Sequence, residues 1–251
     1  MKYVEKANLP MNAHTVLLGE KYCDKLAKPL ENLGIRTIGV PDNPYVDERL
    51  AGHADLSIVH LGNNVIAMAA HLRHSDFAKQ LEREGVELIF SNAAQGSRYP
   101  LDAGLNICIC CNKLIYNPKT ADEAIVHYLT NERGLMPIDV KQGYTKCSVC
   151  VVGEGAIISA DDIIHREAEL AGIRSLKIKS GFFDLDGFDY GFIGGSAFKL
   201  SSDKIAFTGH IDAHPNRDDI LQFFKSHNIE AVYITDEAAF DIGSAIPIIE
   251  K

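Results

Sequence analysis

Apolar and polar positions follow a pattern that repeats five times along the chain. In each copy, a helix-like segment ends at Gly or Asn and runs directly into a short apolar stretch. The five junctions read NLGIRTIGV, REGVELIFS, ERGLMPIDV, LAGIRSLKI and SHNIEAVYI. Gly and Asn tolerate the left-handed conformation that ends a helix, and a β-branched run after such a stop is typical of a strand. The pattern therefore predicts five helix-to-strand junctions.

A second apolar element recurs in step with the first. It opens at a small polar residue and is predicted to form a hairpin, with a turn signal such as GNN, GEG or SSD at its middle. The openings are Ser57, Asn106, Ser148 and Ser196, with an incomplete copy from Ser244. These positions are 49, 42, 48 and 48 residues apart, a spacing typical of repeat architectures. Each repeat is therefore predicted to be a β-β-α-β unit.

The incomplete fifth hairpin finds its second strand near the N-terminus. Residues His14 to Glu20 have the pattern of a strand, and a helical segment follows from about Lys21 to Asn32. We expect the two ends of the chain to pair, so that five units form a circle without free sheet edges and with helices on the outside. Because one repeat could not bury its apolar face alone, residues 1–251 are predicted to form a single α/β domain.

Composition narrows the classes of function. The chain has 251 residues, 46% of them hydrophobic, and a net charge of -9, which gives no support to nucleic-acid binding through a basic surface. It has no run of 18 apolar residues, so no membrane span is predicted. The polar start MKYVEKANLP lacks an apolar signal core. We therefore expect a cytoplasmic protein.

The six cysteines are expected to be free thiols in packed strands. Cys147 and Cys150 have CxxC spacing, but no second such pair exists, and positions three apart in a strand face opposite sides. The segment GFIGGSAF departs from the G-x-G-x-x-G pattern, and no lysine-serine pair of a phosphate loop follows it. No cofactor is predicted.

The segment FTGHIDAHP, residues 207–215, concentrates His210, Asp212 and His214. A histidine beside a carboxylate can act as a general base, and two imidazoles with a carboxylate are possible metal ligands. The repeat, however, places this segment between the fourth hairpin and a helix around residues 216–226. There Asp212 would lie near the unpaired N–H groups of the helix start. A helix start, a metal site and a catalytic dyad containing His210 all remain open.

Five β-β-α-β units around a pseudo-fivefold axis, with both chain ends in one unit, resemble the pentein fold. This is the fold of the guanidino-group-modifying enzymes, such as arginine deiminase, agmatine deiminase, dimethylarginine dimethylaminohydrolase and the amidinotransferases. The resemblance extends from about Thr15 to Lys251. Locally, YTKCSVCVVGEGAIIS is similar to a strand that begins with Glu-Gly-Gly in agmatine deiminases. The resemblance implies a five-unit α/β propeller and, for an enzyme, a C–N hydrolase or amidinotransferase.

The catalytic groups of that family do not carry over to this chain. In the family a cysteine attacks the guanidinium carbon, a histidine moves protons and carboxylates hold the substrate. The Glu-Gly-Gly motif falls on residues 145–147, and the His-x-Asp motif falls on residues 192–194, which read Phe-Ile-Gly. The nucleophilic cysteine falls on Ala245, or on Ser244 if the register shifts by one. The resemblance therefore implies a branch of the fold, among bacterial members without an assigned activity, that lacks the standard Cys-His machinery.

A different polar set is expected around the axis, at the residues just before each hairpin. His53 belongs to this set, and carboxylates facing a lysine could hold a guanidino or amino-acid-like ligand. The predicted ligand-binding residues are Asp55, Asp102, Asn106, Lys146 and Asp241. In the alternative interpretation, the aspartates only cap turns.

Cys147 is the predicted nucleophile at this centre, because the neighbouring Lys146 would favour its thiolate. Ser244 and His210 are the other catalytic candidates. The long connection KSGFFDLDGFDYGF could cover the centre as a lid or partner surface, or fill its own hydrophobic base.

Three functions thus remain open. The first is a pentein protein that acts on or binds a small guanidino, amidino or amino-acid-like ligand. The second is a non-catalytic binding protein, like translation initiation factor six, with a protein partner or a second copy of the chain. The third is a metal-dependent hydrolase that uses His210, Asp212 and His214.

Overall fold

The computed structural model describes residues 1–251 and contains sixteen strands and seven helices. Strands β1 to β16 are Lys2–Tyr3, Ala13–Gly19, Arg36–Val40, Ile58–Gly62, Val65–Met68, Glu87–Phe90, Cys108–Cys110, Lys113–Tyr116, Met136–Asp139, Val149–Gly153, Ala156–Ser159, Arg174–Lys177, Ala197–Ser201, Lys204–Phe207, Glu230–Tyr233 and Ile246–Glu250. Helices α1 to α7 are Glu20–Asn32, Asp76–Arg83, Glu123–His127, Thr145–Ser148, Asp162–Leu170, Ile193–Ser196 and Arg217–Ser226. None of these helices has the length and apolar character that crossing a bilayer requires.

The strands form five small sheets that share one pairing pattern. In four of them an antiparallel hairpin is followed by a helical segment and a third strand, which pairs in parallel with the second strand of the hairpin. The sheet of β4, β5 and β6 shows this pattern. It recurs in β7–β8–β9, β10–β11–β12 and β13–β14–β15. The predicted β-β-α-β unit is confirmed, with each hairpin opening within two residues of its predicted start.

The fifth sheet joins both ends of the chain. Strand β16 pairs antiparallel with β2, placing Ile246 opposite Leu17, and β2 pairs in parallel with β3. The predicted pairing of the chain ends is confirmed. Strand β1 adds to the other side of β16, which the sequence did not predict.

Helix α1 shows why its pattern of apolar residues and its end could be recognised in the sequence. It buries Leu26 and Leu30, four residues apart on one face, as expected for an amphipathic helix. Beyond its end, Gly34 has a φ of 78°, the left-handed conformation that stops a helix with little strain in glycine. The helix predicted at about residues 21–32 is confirmed at Glu20–Asn32.

The core consists mainly of five hydrophobic clusters, each shared by neighbouring sheets. One cluster joins β4 and β5 to β7 and β8, and a second joins β7 and β8 to β10 and β11. A third joins β10 and β11 to β13 and β14, and a fourth joins β13 and β14 to β2. The fifth joins β2, β3 and β16 to β4 and β5. The packing order of the sheets is therefore cyclic. That the whole chain acts as one domain stays a prediction.

Short turns that precede the first strands of the units meet at the middle of this cycle. We call them the central turns, and they comprise residues 53–57, 102–106, 145–148, 193–196 and 241–244. Each is hydrogen-bonded to the next: Asn106 Nδ2 donates to the Asp55 carbonyl, the Thr145 N–H to the Asn106 carbonyl, Lys146 Nζ to the Gly194 carbonyl, the Ser244 N–H to the Gly195 carbonyl, and the Asp55 N–H to the Gly243 carbonyl. The fold therefore brings residues from all five units into contact.

Candidate functional site

A pocket of about 260 Å³ borders the central turns. Its walls are mainly aromatic and aliphatic and include Tyr144 and Phe192. Apart from the tyrosines Tyr144 and Tyr190, its polar side chains are His53, Cys147, Asp189 and Asp241. No lysine or arginine lines it. The pocket is thus an apolar cleft with an anionic polar lining.

Cys147 lies at this pocket in contact with two other central turns. Its Sγ is 2.9 Å from Asp55 Oδ2 and 3.2 Å from Asn106 Nδ2. Burial raises the pKa of the Asp55 carboxyl to about 7. Burial and the nearby carboxylates of Asp55 and Asp241 raise the pKa of the Cys147 thiol. The protonated thiol can therefore donate a hydrogen bond to Asp55.

The expectation that Cys147 would be shifted towards its thiolate is wrong in direction, since the pKa of its thiol is raised. The Lys146 ammonium is directed elsewhere, since Nζ donates to Ser244 Oγ at 2.9 Å and to the Gly194 carbonyl at 3.3 Å. Lys146 is buried but does not line the pocket. Ser244, a catalytic candidate, is buried and has its hydroxyl engaged by this ammonium. Lys146 and Ser244 therefore tie three central turns together.

The Asp241 carboxylate is oriented by backbone donors. Oδ1 accepts from the Gly243 N–H at 2.9 Å, and Oδ2 accepts from the Phe192 N–H at 2.8 Å. A Cβ atom at Gly195 would overlap this carboxylate. Gly195 thus makes room for the Asp241 side chain, while a Cβ atom at Gly194 would overlap the backbone carbonyls of Lys146 and Val149, so both glycines permit a close approach.

His53 and Asp55 carry buried polar atoms that lack a protein partner. These atoms are His53 Nε2 and Asp55 Oδ1. The other ring nitrogen of His53, Nδ1, is 3.9 Å from Asp241 Oδ1. Burial lowers the pKa of His53, so its imidazole is neutral near pH 7. One ligand atom from each of His53, Asp55 and Cys147 can be chosen such that all lie within 4.8 Å of one another, so these three residues could hold a metal ion.

Asp102 and Asn106 support the site indirectly. The Tyr144 hydroxyl donates to Asp102 Oδ2 at 2.6 Å, which orients one wall of the pocket. Asn106 Oδ1 accepts the N–H groups of Lys146 and Cys147 at 2.8 and 3.1 Å, which satisfies donors at the start of the short helix α4. Neither residue lines the pocket. The sequence did not single out Tyr144, because an aromatic residue in a connecting segment has no distinguishing pattern.

The connection between β12 and β13 covers part of the pocket. Its residues Leu185, Phe188, Asp189 and Tyr190 are among the lining residues. We call residues 185–190 the covering loop. The Arg49 guanidinium lies 4.1 Å from the centre of the Phe188 ring and donates to the Gly187 carbonyl at 2.6 Å. Both interpretations of this connection stay open, because residues 185–190 border the pocket while Phe183 is buried in the hydrophobic core.

The three polar residues of FTGHIDAHP form only a partial cluster: His210 Nδ1 lies 3.7 Å from Asp212 Oδ2, whereas His214 has other partners. His210 is partly exposed and stacks on Tyr233, with ring centroids 4.4 Å apart. Asp212 accepts from Arg217 Nε at 2.9 Å. His214 has both ring nitrogens engaged, because Nδ1 accepts from the Asn216 N–H and Nε2 lies 3.2 Å from the Lys179 carbonyl. None of the three lines the pocket or contacts Cys147.

Asp212 does not cap the helix start as the first interpretation expected. Helix α7 has Asn216 at its N-cap, and no side chain bonds the free N–H groups there. The Asp212 carboxylate instead binds the side chain of Arg217, the first residue of the helix. The segment is nevertheless the entry into α7, as the repeat predicted.

The model of a family described as "Family of unknown function (DUF6873)" matches residues 17–246. The chain belongs to this family. Among curated proteins, none matches the sequence.

Solved structures show which fold this family member has. An agmatine deiminase from C. jejuni has a TM-score of 0.58 and 9% identity, with 100% of this chain and 96% of that chain covered. The amidinotransferase SxtG from Microseira wollei has a TM-score of 0.57 and 10% identity, with coverage of 95% and 92%. A Pseudomonas aeruginosa DDAH complexed with citrulline has a TM-score of 0.55 and 8% identity, with coverage of 95% and 100%. The chain therefore has the pentein fold, as its repeats indicated, and its structural neighbours are guanidino-modifying enzymes.

Proposed function

We propose that the central pocket binds a small planar cation of the guanidino or amidino class. The observation that carries this proposal is the charge of the lining: Asp189 and Asp241 supply carboxylates, and no lysine or arginine faces the pocket. Carboxylates form charge-assisted hydrogen bonds with guanidinium groups. Aromatic walls attract a cation through the faces of their rings. The neutral His53 adds no opposing charge.

The position of Lys146 narrows the ligand class. An amino-acid ligand needs a cationic partner for its carboxylate, but the Lys146 ammonium is held by Ser244 and Gly194. A ligand carboxylate would instead meet Asp189 and Asp241 and be repelled. We therefore favour a guanidino or amidino compound with an amine or neutral tail over an amino-acid-like ligand. The agmatine deiminase among the fold neighbours fits this class.

For chemistry on such a ligand, we propose C–N hydrolysis or amidino transfer, with Cys147 as the nucleophile. Its thiol lines the pocket, and Asp55 Oδ2 at 2.9 Å can accept the thiol proton as Sγ attacks the guanidinium carbon. The same proton can then pass to the departing amine as the C–N bond breaks, and water, for hydrolysis, or an acceptor amine, for transfer, then displaces Sγ from the amidino carbon and restores the thiol. The geometry favours Cys147 over Ser244 and His210, because only the Cys147 side chain reaches the pocket.

The test compares a cation with its neutral isostere. Chelator-treated protein is mixed with agmatine or with N-carbamoylputrescine, in which a urea replaces the guanidinium. Agmatine should raise the Tm, because a ligand that binds only the folded state stabilises it by mass action. The urea should not. Calorimetric titration with arginine then measures how much affinity is lost when the ligand carries a carboxylate.

Variants assign the binding to the pocket. Asp241→Asn should weaken agmatine binding by about tenfold or more, the typical cost of losing a charged hydrogen bond. Asp189→Asn, at the exposed mouth, should weaken it less and carries little risk to folding. Asp236→Asn, a fully exposed carboxylate away from the pocket, is the matched control. Equal Tm shifts from agmatine and its urea analogue, or wild-type affinity in Asp241→Asn, would refute the proposal.

The other functions predicted from sequence have less support in the geometry. The metal-dependent hydrolase would need His210, Asp212 and His214 together, but only His210 and Asp212 form a close pair, at 3.7 Å, and both ring nitrogens of His214 are engaged by backbone groups. A protein partner, a homo-oligomer and a cytoplasmic location stay predictions.

A further inference from the structure

His53, Asp55 and Cys147 combine an imidazole, a carboxylate and a thiol in one buried cluster. All three residues are almost fully buried, and one potential ligand atom from each lies within 4.8 Å of the others. Zinc binds these three ligand types at about 2.0 to 2.3 Å, and the sulfur ligand disfavours magnesium or calcium. The donor set therefore matches zinc chemistry.

Unpaired polar atoms provide an independent indication of a ligand. His53 Nε2 and Asp55 Oδ1 are both buried without a hydrogen-bond partner. Such atoms are rare in folded proteins, because burial without a partner destabilises the folded state. A metal ion would accept an electron pair from each residue and so relieve this cost. His53 Nδ1 faces the Asp241 carboxylate at 3.9 Å, longer than a hydrogen bond, and a small approach would let this carboxylate accept the N–H of a metal-bound imidazole.

We propose that His53, Asp55 and Cys147 bind one zinc ion through a ring nitrogen, a carboxylate oxygen and Sγ. On binding, the zinc–sulfur bond forms, the S–H bond breaks, and the thiol proton leaves to solvent together with any proton held by the Asp55 carboxyl, with no change of oxidation state. The ionised Asp55 and Cys147 balance the charge of a divalent cation, which a buried site requires. Because His53 and Cys147 line the pocket, the fourth coordination position faces it, as in zinc sites that keep an open position.

The neighbouring residues allow this cluster to form. Gly243 has a φ of 67°, and a Cβ there would lie only 2.8 Å from Asp55 Oδ1. Glycine at this position thus permits the last central turn to approach the first. The Asn106 amide, 3.2 Å from Sγ, can donate to a coordinated thiolate.

This site stands independently of the proposed guanidino ligand. In zinc-loaded protein the thiolate is coordinated, so Cys147 is no longer a free nucleophile. The two proposals are therefore tested on different forms of the protein. Ligand binding is measured after chelation, and metal binding is measured without any organic ligand.

Cobalt and zinc titrations test the site. Chelator-treated protein should bind one Co²⁺ per chain, with a thiolate-to-cobalt charge-transfer band that Zn²⁺ removes by displacement. Cys147→Ser should abolish the band. His53→Gln and Asp55→Asn should weaken metal binding by more than about tenfold, since even residues behind the ligands have effects of that size. Cys150→Ser removes an equally buried thiol three residues away and should retain the band.

A measurement on the wild-type chain keeps the test valid if a variant fails to fold. X-ray absorption of zinc-loaded protein should show one sulfur neighbour at about 2.3 Å and nitrogen or oxygen neighbours at about 2.0 Å. Zinc without a sulfur neighbour, or a cobalt band that persists in folded Cys147→Ser, would overturn the proposal. So would wild-type protein that takes up no metal.

Discussion

His60 is a buried imidazole whose ionisation is opposed by the fold. It lies in β4, and its Nε2 is 2.9 Å from the Asn63 carbonyl, while Nδ1 has no partner. Burial, with a smaller contribution from the positive charge of Arg133, lowers its pKa to about 4. In the unfolded chain the same group has a pKa of about 6.5. The two states therefore differ in proton binding between these values.

This difference predicts an acid-sensitive free energy of unfolding. Between about pH 6.5 and 4 the unfolded state binds more protons, so the free energy of unfolding falls as the pH is lowered through this window, by at most about 3 kcal/mol. His60→Gln keeps a hydrogen-bond donor and should remove this contribution. Urea denaturation at pH 7.5 and 4.5 measures the effect, with the exposed His74→Gln as control. Equal losses in wild type and His60→Gln would contradict the explanation.

At the scale of single residues, the sequence predicted which residues lie near the axis, but not which side chains contact one another. The repeat placed Asp55, Lys146 and Cys147 near one axis, and the structure brings them together. It did not indicate that neighbouring Lys146 and Cys147 would face different partners. Consecutive residues of a helical turn point in different directions, so Lys146 reaches Ser244 and Cys147 reaches Asp55. Their pKa values follow from burial and these long-range contacts, which no local pattern encodes.

At the scale of elements, the residue types of a motif did not indicate whether its side chains face the pocket. FTGHIDAHP has the composition of a site, yet its side chains are occupied by Tyr233, Arg217 and nearby backbone at the entry into α7. The opposite holds for the covering loop, whose sequence has no periodicity and whose pocket-facing residues became visible only in three dimensions. Helices and strands were predictable because burial on one face imposes a period.

The covering loop is held by Arg49. This side chain contacts the Phe188 ring and the Gly187 carbonyl, and its guanidinium is fixed by Asp47. Arg49→Ala should increase amide hydrogen exchange in residues 185–190 by about twofold to fivefold, as expected for the loss of one exposed cation–π contact. Mass spectrometry of the peptide covering this loop measures the exchange. Arg166→Ala, which removes a surface arginine paired only with Glu167, is the control, and the same exchange in both variants would argue against the restraint.

At the scale of the whole molecule, the fold was the most predictable property. The repeat extends over the full chain, so errors at single positions do not obscure it, and the pentein neighbours confirm it at 8–10% identity. At such low identity, the residues at the centre of this chain can differ from those of its structural neighbours. The alignment put the family's nucleophile at Ala245 or Ser244, whereas the thiol that borders the pocket comes from α4 in a different unit.

Because one sheet joins both chain ends, we expect that the ends can be linked and new ends opened elsewhere without changing the fold. Lys2 pairs with Glu250 on adjacent strands, so a short Gly/Ser linker could connect the ends, and new ends could be opened in the turn at Gly153–Gly155. This circular permutant should fold, unfold cooperatively and give the same result as the parent chain in the agmatine and zinc assays, because surface turns tolerate new termini. Circular dichroism and the two binding assays check it, and a permutant opened between the buried Ile157 and Ile158 should fail. If the turn-opened permutant did not fold, the order in which the units are synthesised, and not only their packing, would be part of what specifies the ring.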